Sequence, residues 1–224
     1  MAPKAPMAPG APKAPTRRTV LAAGIAGITA VPALAGLTGC SAEEPRPGPA
    51  AGPQAAADTL VMLIRHGERP YPGDVGEDDE GNDDPGSLAG RGRRRAEALP
   101  ALFAPSARVP LPRPASLFVC GGPAARSRQT VAPLAGALHL PLRDRIAVGK
   151  EAALARAVLA APAPVLICWE HHGFPRLIQA LGAAGAPGLP AAWPDRYDLV
   201  WLLDRHRGTW AFREQGQHLL PGDV

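Results

Sequence analysis

Net charge is missing from most of this chain. Residues 1–39 hold Lys4, Lys13, Arg17 and Arg18 and no acid, and these four account for the whole excess of 24 Lys plus Arg over 20 Asp plus Glu. The remainder is balanced at 20 against 20, so the basic character belongs to the N-terminus and no case for nucleic-acid binding remains. Cysteine is also rare. Beside Cys40 there are only Cys120 and Cys168, which leaves one possible pair, if neighbouring strands carry them, or two buried free thiols. No internal repeat is present. The residues from Asp58 onward, about 167 of them, suffice for one compact α/β domain.

The N-terminus is where the sequence speaks of location. Arg17-Arg18 precedes an apolar stretch from Val20 to Leu37 that ends in Leu37-Thr38-Gly39-Cys40. Twin arginines before such a stretch indicate Tat export, and the last four residues read as a lipobox whose Cys40 is acylated after cleavage. A transmembrane anchor is the competing reading, but the Gly, Ala and Pro content makes the stretch a poor one. The expectation is a signal peptide at 1–39, a Pro/Ala-rich tether at 40–57 without a core of its own, and a domain at 58–224. The protein would sit lipid-anchored at the outer face of the cell membrane.

Three short apolar runs are each followed by residues able to do chemistry. Thr59 to Ile64 is continuously apolar, as in a central strand of an α/β sheet, and it opens into Arg65-His66-Gly67. Ser116 to Cys120 runs into Gly-Gly-Pro123-Ala-Ala-Arg126-Ser-Arg-Gln129-Thr130, where a loop becomes a helix. Val165 to Cys168 leads through Trp169 and Glu170 to His171 and His172, with a helix through Leu177 and Leu181 behind. Ligands in parallel sheets bind beyond the carboxyl ends of strands, so these segments converge on one cleft. His66 is a candidate nucleophile toward phosphorus, and Arg65 offers planar donors that match phosphate geometry.

These segments resemble, in order, the signatures of the histidine phosphatase superfamily, also called the phosphoglycerate mutase-like group. Arg65-His66-Gly67 matches its RHG loop, Pro123-x-x-Arg126-Ser-x-Gln129-Thr130 its P-x-x-R-A-x-Q-T segment, and His171 its second histidine. The resemblance spans Asp58 to Leu181 and implies a three-layer α/β/α sandwich around a mostly parallel sheet. It implies that His66 is phosphorylated and that Arg65, Arg126 and His171 complete a phosphate pocket. Arg69 joins them by partial analogy with an RHG-x-R-x-P pattern, though the prolines here are Pro70 and Pro72. The implied activity is hydrolysis of a small phosphomonoester through phosphohistidine, with no metal and no cofactor. Such a chain is too short for the large helical cap of a phytase.

The general acid is not legible. The phytase His-Asp pair is missing, and Glu68, Glu170 and the acids between Asp74 and Asp84 all compete. That acidic run, Gly73 to Gly86, reads as a solvated loop, a lid or a selector of cationic substrates, and its spacing does not fit an EF-hand. The arginines at 91, 93, 94 and 95 start a helix and are expected to be solvated or paired with the acidic loop. Cys120-x5-Arg126-Ser127 has the outline of a cysteine-dependent phosphatase loop, but Pro123 stands where a backbone donor is needed. The same residues also admit a mutase, or a protein that binds phosphate esters without turnover. Tyr197 to Asp204 and Thr209 to Glu214 read as a hairpin around Arg207-Gly208, appended to the core, with Trp201 and Trp210 as packing residues. Gln217 to Asp223 either closes over the site or ties down the end.

Overall fold

A computed structural model of the protein describes residues 57–107, 111–122 and 125–224. The expected export signal, Cys40, the expected tether as far as residue 56 and Pro123 lie outside the described residues. Among the described residues no helix is long and apolar enough to cross a membrane.

The continuous apolar runs form the middle of a sheet. β1 (Thr59–Arg65) is followed by α1 (Gly90–Ala98) with a 3-10 turn at Leu99–Phe103, β2 (Ser116–Val119), α2 (Arg126–Leu138) and the short β3 (Leu142–Arg143). Next come α3 (Glu151–Leu159), β4 (Val165–Trp169), a 3-10 turn at His171–Gly173, α4 (Phe174–Leu181), and the pair β5 (Leu199–His206) and β6 (Thr209–Gly216). The six strands are ordered β3-β2-β4-β1-β5-β6. The first four are mutually parallel, and β5 and β6 extend the sheet antiparallel beside β1.

Strand alternation divides the core in two. Val61 and Leu63 of β1 face one cluster with Leu154 and Val158 of α3 and Phe174, Leu177, Ile178 and Leu181 of α4. Met62 and Ile64 face another with Leu99, Leu102 and Val131 and Leu134 of α2. This is the expected three-layer sandwich. The α4 residues recur at i, i+3, i+4 and i+7, which puts them on one helical stripe, and each fully buried side chain contributes about 1.5–3 kcal/mol. Gly182, at φ 78°, takes the left-handed conformation that ends this helix.

The hairpin is where the sequence put it. Arg207 and Gly208 have φ of 49° and 82°, as a type I′ turn requires, and His206 pairs with Thr209 across it. It is no appendage, however. Trp201 and Trp210 are buried in the same core as α4, and β5 pairs along most of β1.

Candidate active site

Parallel β1, β2 and β4 end on one edge of the sheet, so the segments that follow them meet there. Antiparallel β5 starts at that same edge, because Leu63 pairs with Trp201 and the residues before Leu199 therefore lie beyond Arg65. Between these four chain segments lies a cavity of about 730 Å³. Arg65, His66, Arg69, Arg126, Glu170 and His171 all line it, which gathers six of the seven residues singled out as candidates for chemistry. Glu68 is the exception.

Arg65 ends β1, His66 follows it, and both are nearly fully buried. The chain turns at Gly67, whose N–H donates to Thr130 Oγ1 at 2.8 Å, while that hydroxyl donates to the Arg126 carbonyl at 2.7 Å. One threonine thus fastens the His66 loop to the first turn of α2. Gln129 performs a similar task for the next loop, accepting from Leu88 N–H and donating to Ser87 Oγ. The Gln-Thr of the second signature therefore organises loops. The loops also approach closely: a Cβ on Gly92 would stand 2.5 Å from the Glu68 carbonyl oxygen and 2.8 Å from its nitrogen. Backbone cannot yield there, so α1 requires glycine at 92 to lie against the His66 loop.

His66 Nδ1 lies 2.8 Å from the Gly67 carbonyl oxygen. A carbonyl only accepts, so Nδ1 carries the proton and the lone pair is left on Nε2. Burial lowers the pKa of His66 from 6.5 to about 4, with a smaller push from Arg126, Arg65 and His171 and an opposing pull from the Gly67 carbonyl. The imidazole is neutral above that pH.

The cations are held from behind. Arg65 donates from Nη1 to Asp195 Oδ1 at 2.8 Å and from Nη2 to the Tyr197 hydroxyl at 3.2 Å, with its guanidinium carbon 4.0 Å from the Tyr197 ring centroid. Arg126, the first residue of α2, donates from Nη1 to the Pro85 carbonyl at 3.0 Å, which ties the acidic loop to the site's rim. Nε of Arg65, Nε of Arg126 and Nδ1 of His171 are buried and find no hydrogen-bond partner among the described residues. His171 Nδ1 is 3.3 Å from Glu170 Oε1, close enough for charges to feel each other but outside hydrogen-bond alignment. Each such group costs about 1–3 kcal/mol, and an oxyanion between the arginines would relieve two of them. Burial lowers the His171 pKa, helped by Arg65 and His172 and opposed by Glu170 and Asp195. Three guanidinium groups face two carboxylates in the cavity, so its field suits an anion.

Glu68 points away from the cavity. Its carboxylate is buried and accepts from Arg95 Nη2 at 2.7 Å and from Arg91 Nε at 3.0 Å, so of the two glutamates only Glu170 lines the cavity. Arg95 also corrects the expectation for its cluster. Arg93 does donate to the carbonyls of Glu77 and Asp78 in the acidic loop, but Arg95 is 2% exposed and bonded to both Glu68 and Asp223. One helical turn separates Arg91 from Arg95, so both reach the same face, where two carboxylates await them. Asp223 is held at a pKa of about 2, mainly by its bonds to Arg95 and to backbone N–H groups, against the effect of burial. The segment after β6 therefore ties the chain end to α1.

Cys120 offers no nucleophile. Its Sγ lies 2.9 Å from Ser127 Oγ, burial raises its pKa, and it does not line the cavity. Cys168, across the β2–β4 pairing, is likewise a free thiol. Sequence reasoning passed over Asp195, Tyr197 and Trp193, of which Asp195 and Trp193 line the cavity and Tyr197 backs Arg65. The signal available was their position just before a strand antiparallel to β1.

No protein-family model matches the chain. No curated protein matches it either. Solved structures with a similar backbone include "Mycobacterial hydrolase 1", at 16% identity and a TM-score of 0.43, covering 71% of this chain and 97% of that one. A mycobacterial glucosyl-3-phosphoglycerate phosphatase complexed with VO3 is similar at 14% identity and a TM-score of 0.44, covering 70% and 97% respectively. Phosphoserine phosphatase from Entamoeba histolytica, bound to 3-phosphoglyceric acid, is similar at 13% identity and a TM-score of 0.43, covering 72% and 100%. Likeness of this degree concerns the course of the backbone and bears on no residue's role.

Proposed function

We propose that the protein hydrolyses phosphomonoesters through a phosphohistidine on His66, in the manner of the histidine phosphatase superfamily. The observation that carries this reading is the Nδ1–H of His66 given to the Gly67 carbonyl, which leaves Nε2 as a neutral nucleophile in a cavity of arginines.

Nε2 attacks phosphorus in line, the N–P bond forms as the P–O bond to the leaving group breaks, and Glu170 gives its proton to the departing oxygen. Water then attacks the phosphohistidine, Glu170 takes a proton from it, and inorganic phosphate leaves with His66 neutral again. Arg65 and Arg126 stabilise the equatorial oxygens, His171 donates to them, and Arg69 stands at the rim. Every step is supplied by side chains. We further infer, from Arg17-Arg18, the apolar run and Cys40, that the enzyme is exported and lipid-anchored, so its substrates are extracytoplasmic. A mutase reading fits that location poorly.

Hydrolysis of p-nitrophenyl phosphate between pH 4 and 8 with EDTA present tests the chemistry. The His66→Ala variant should lose at least about a thousandfold in kcat while Cys120→Ser retains activity. A parent protein that binds phosphate esters and turns over none would make it a binding protein instead. Radiolabelled fatty acid incorporated by the parent and not by Cys40→Ser would support the anchor, and equal labelling of both would sink it.

A further inference from the structure

One residue on the cavity wall has no part in this chemistry. His172 follows His171 directly, and with Glu170 the two histidines make three consecutive potential metal ligands. Consecutive residues usually point apart. Here Glu170 is extended at φ −72° and ψ 123°, and the 3-10 turn at His171–Gly173 follows at once, so all three side chains reach the same cavity. The imidazole rings lie 3.9 Å apart between centroids. One donor atom from each residue falls within 4.8 Å of the others.

We propose that Glu170, His171 and His172 bind a divalent transition metal ion of the zinc type, and that its binding shuts off the hydrolysis proposed above. Glu170 Oε1 is 3.3 Å from His171 Nδ1 and 3.9 Å from His172 Nε2. Ligand bonds of about 2.0–2.2 Å in a tetrahedron put donors about 3.3–3.5 Å apart, so the first spacing fits directly. The second closes with a small swing of His172, whose side chain is 78% exposed and has room to move. His171 Nδ1 supplies an independent pointer, since it is buried without a hydrogen-bond partner and a metal bond would satisfy it. Two imidazole nitrogens with one carboxylate oxygen suit zinc, copper or nickel and are a poor set for magnesium or calcium.

The fourth ligand position opens on the cavity and takes water or a phosphate oxygen. Arg65 and Arg69 on the same wall oppose a cation, which sets the expected Kd at roughly micromolar rather than nanomolar. The inhibitory half of the proposal rests on the hydrolase reading: the ion would occupy the proton donor Glu170 and the phosphate-facing His171 together. The binding half rests on geometry alone.

Titration of the full-length chain with Zn²⁺ by calorimetry, and with Co²⁺ by visible absorption, reads binding without any need for turnover. The parent should bind one ion with a tetrahedral cobalt spectrum, and His172→Ala should weaken both metals at least tenfold. In EDTA-free assays Zn²⁺ should inhibit p-nitrophenyl phosphate hydrolysis with a midpoint matching its Kd, and that midpoint should move equally in His172→Ala, whose metal-free rate stays within twofold of the parent. Absence of binding, or binding indifferent to His172→Ala, overturns the site. Binding that leaves hydrolysis untouched overturns the inhibition. A parent that binds zinc normally and hydrolyses nothing counts against the hydrolase reading and leaves the metal site standing.

Discussion

The loops after β1 and β4 each carry a histidine and a glutamate, His66 with Glu68 in one and Glu170 with His171 in the other, and they use them in opposite ways. After β1, Glu68 turns inward to Arg91 and Arg95, and His66 is left with one fixed hydrogen bond and a defined tautomer. After β4, Glu170 faces the cavity together with His171, whose Nδ1 has no hydrogen-bond partner. On the proposed mechanism the two loops divide the labour: one is locked so that His66 points one way, and the other presents Glu170 and His171 to the cavity. A buried, doubly paired carboxylate is a strut, while a carboxylate on a cavity wall is a reagent.

Exchanging the two glutamates for glutamine should separate these roles. Glu170→Gln should lower kcat by about a thousandfold on an alkyl phosphate and far less on p-nitrophenyl phosphate, whose leaving group needs little help, with the thermal midpoint unchanged. Equal losses on both substrates would remove Glu170 as the donor. Glu68→Gln should do the reverse. It leaves Arg95 short of one buried charge and should cost about 3 kcal/mol of unfolding free energy, while kcat of the folded fraction stays within about tenfold. A stable, inactive Glu68→Gln would mean that the strut also takes part in catalysis.

Acid titration sharpens the contrast. His66 binds its proton less readily in the folded chain than its ordinary 6.5, so stability is full above that pH and falls as the pH drops to about 4, by about 3 kcal/mol over that window. The contribution of Asp223 is present above its ordinary 3.8 and is lost only as the pH falls toward about 2. Urea unfolding midpoints of the parent and His66→Gln at pH 7, 4.5 and about 2 check this, since the variant should lose the upper window and keep the lower. The smallest effect belongs to Asp195, which pairs with Arg65 but has a side chain 91% exposed. Asp195→Asn should leave the urea midpoint close to the parent's, and it should alter KM more than kcat if, as proposed, it only steadies Arg65 against the phosphate. A large fall in kcat would make it a proton donor in its own right.

Legibility in the sequence followed locality. Thr59 to Ile64 and Val165 to Cys168 announce central strands because both faces are buried, and the three segments behind parallel strands point to one edge without further information. The direction of Glu68 was hidden because its partners, Arg91 and Arg95, lie 23 and 27 positions away and neither carries a local signal. Arg95 looked like one solvated arginine among four, and only the packing of α1 against the nucleophile loop buries it. Asp195 and Tyr197 were lost in what read as an appendage, since placing them requires knowing that β5 runs antiparallel beside β1. The lone pair on His66 Nε2 was invisible as well, for it depends on where a single carbonyl points.

The bond between Arg95 and Asp223 also has a meaning in time. During synthesis, β1 and its histidine emerge early, yet the strut behind Glu68 lacks its second carboxylate until residues beyond 220 have left the ribosome. Contacts across so long a stretch of sequence form late and slowly. A nascent chain would therefore carry an unfinished pocket until that segment emerges, and on the proposed reading the ability to bind a phosphate ester should appear abruptly once it does.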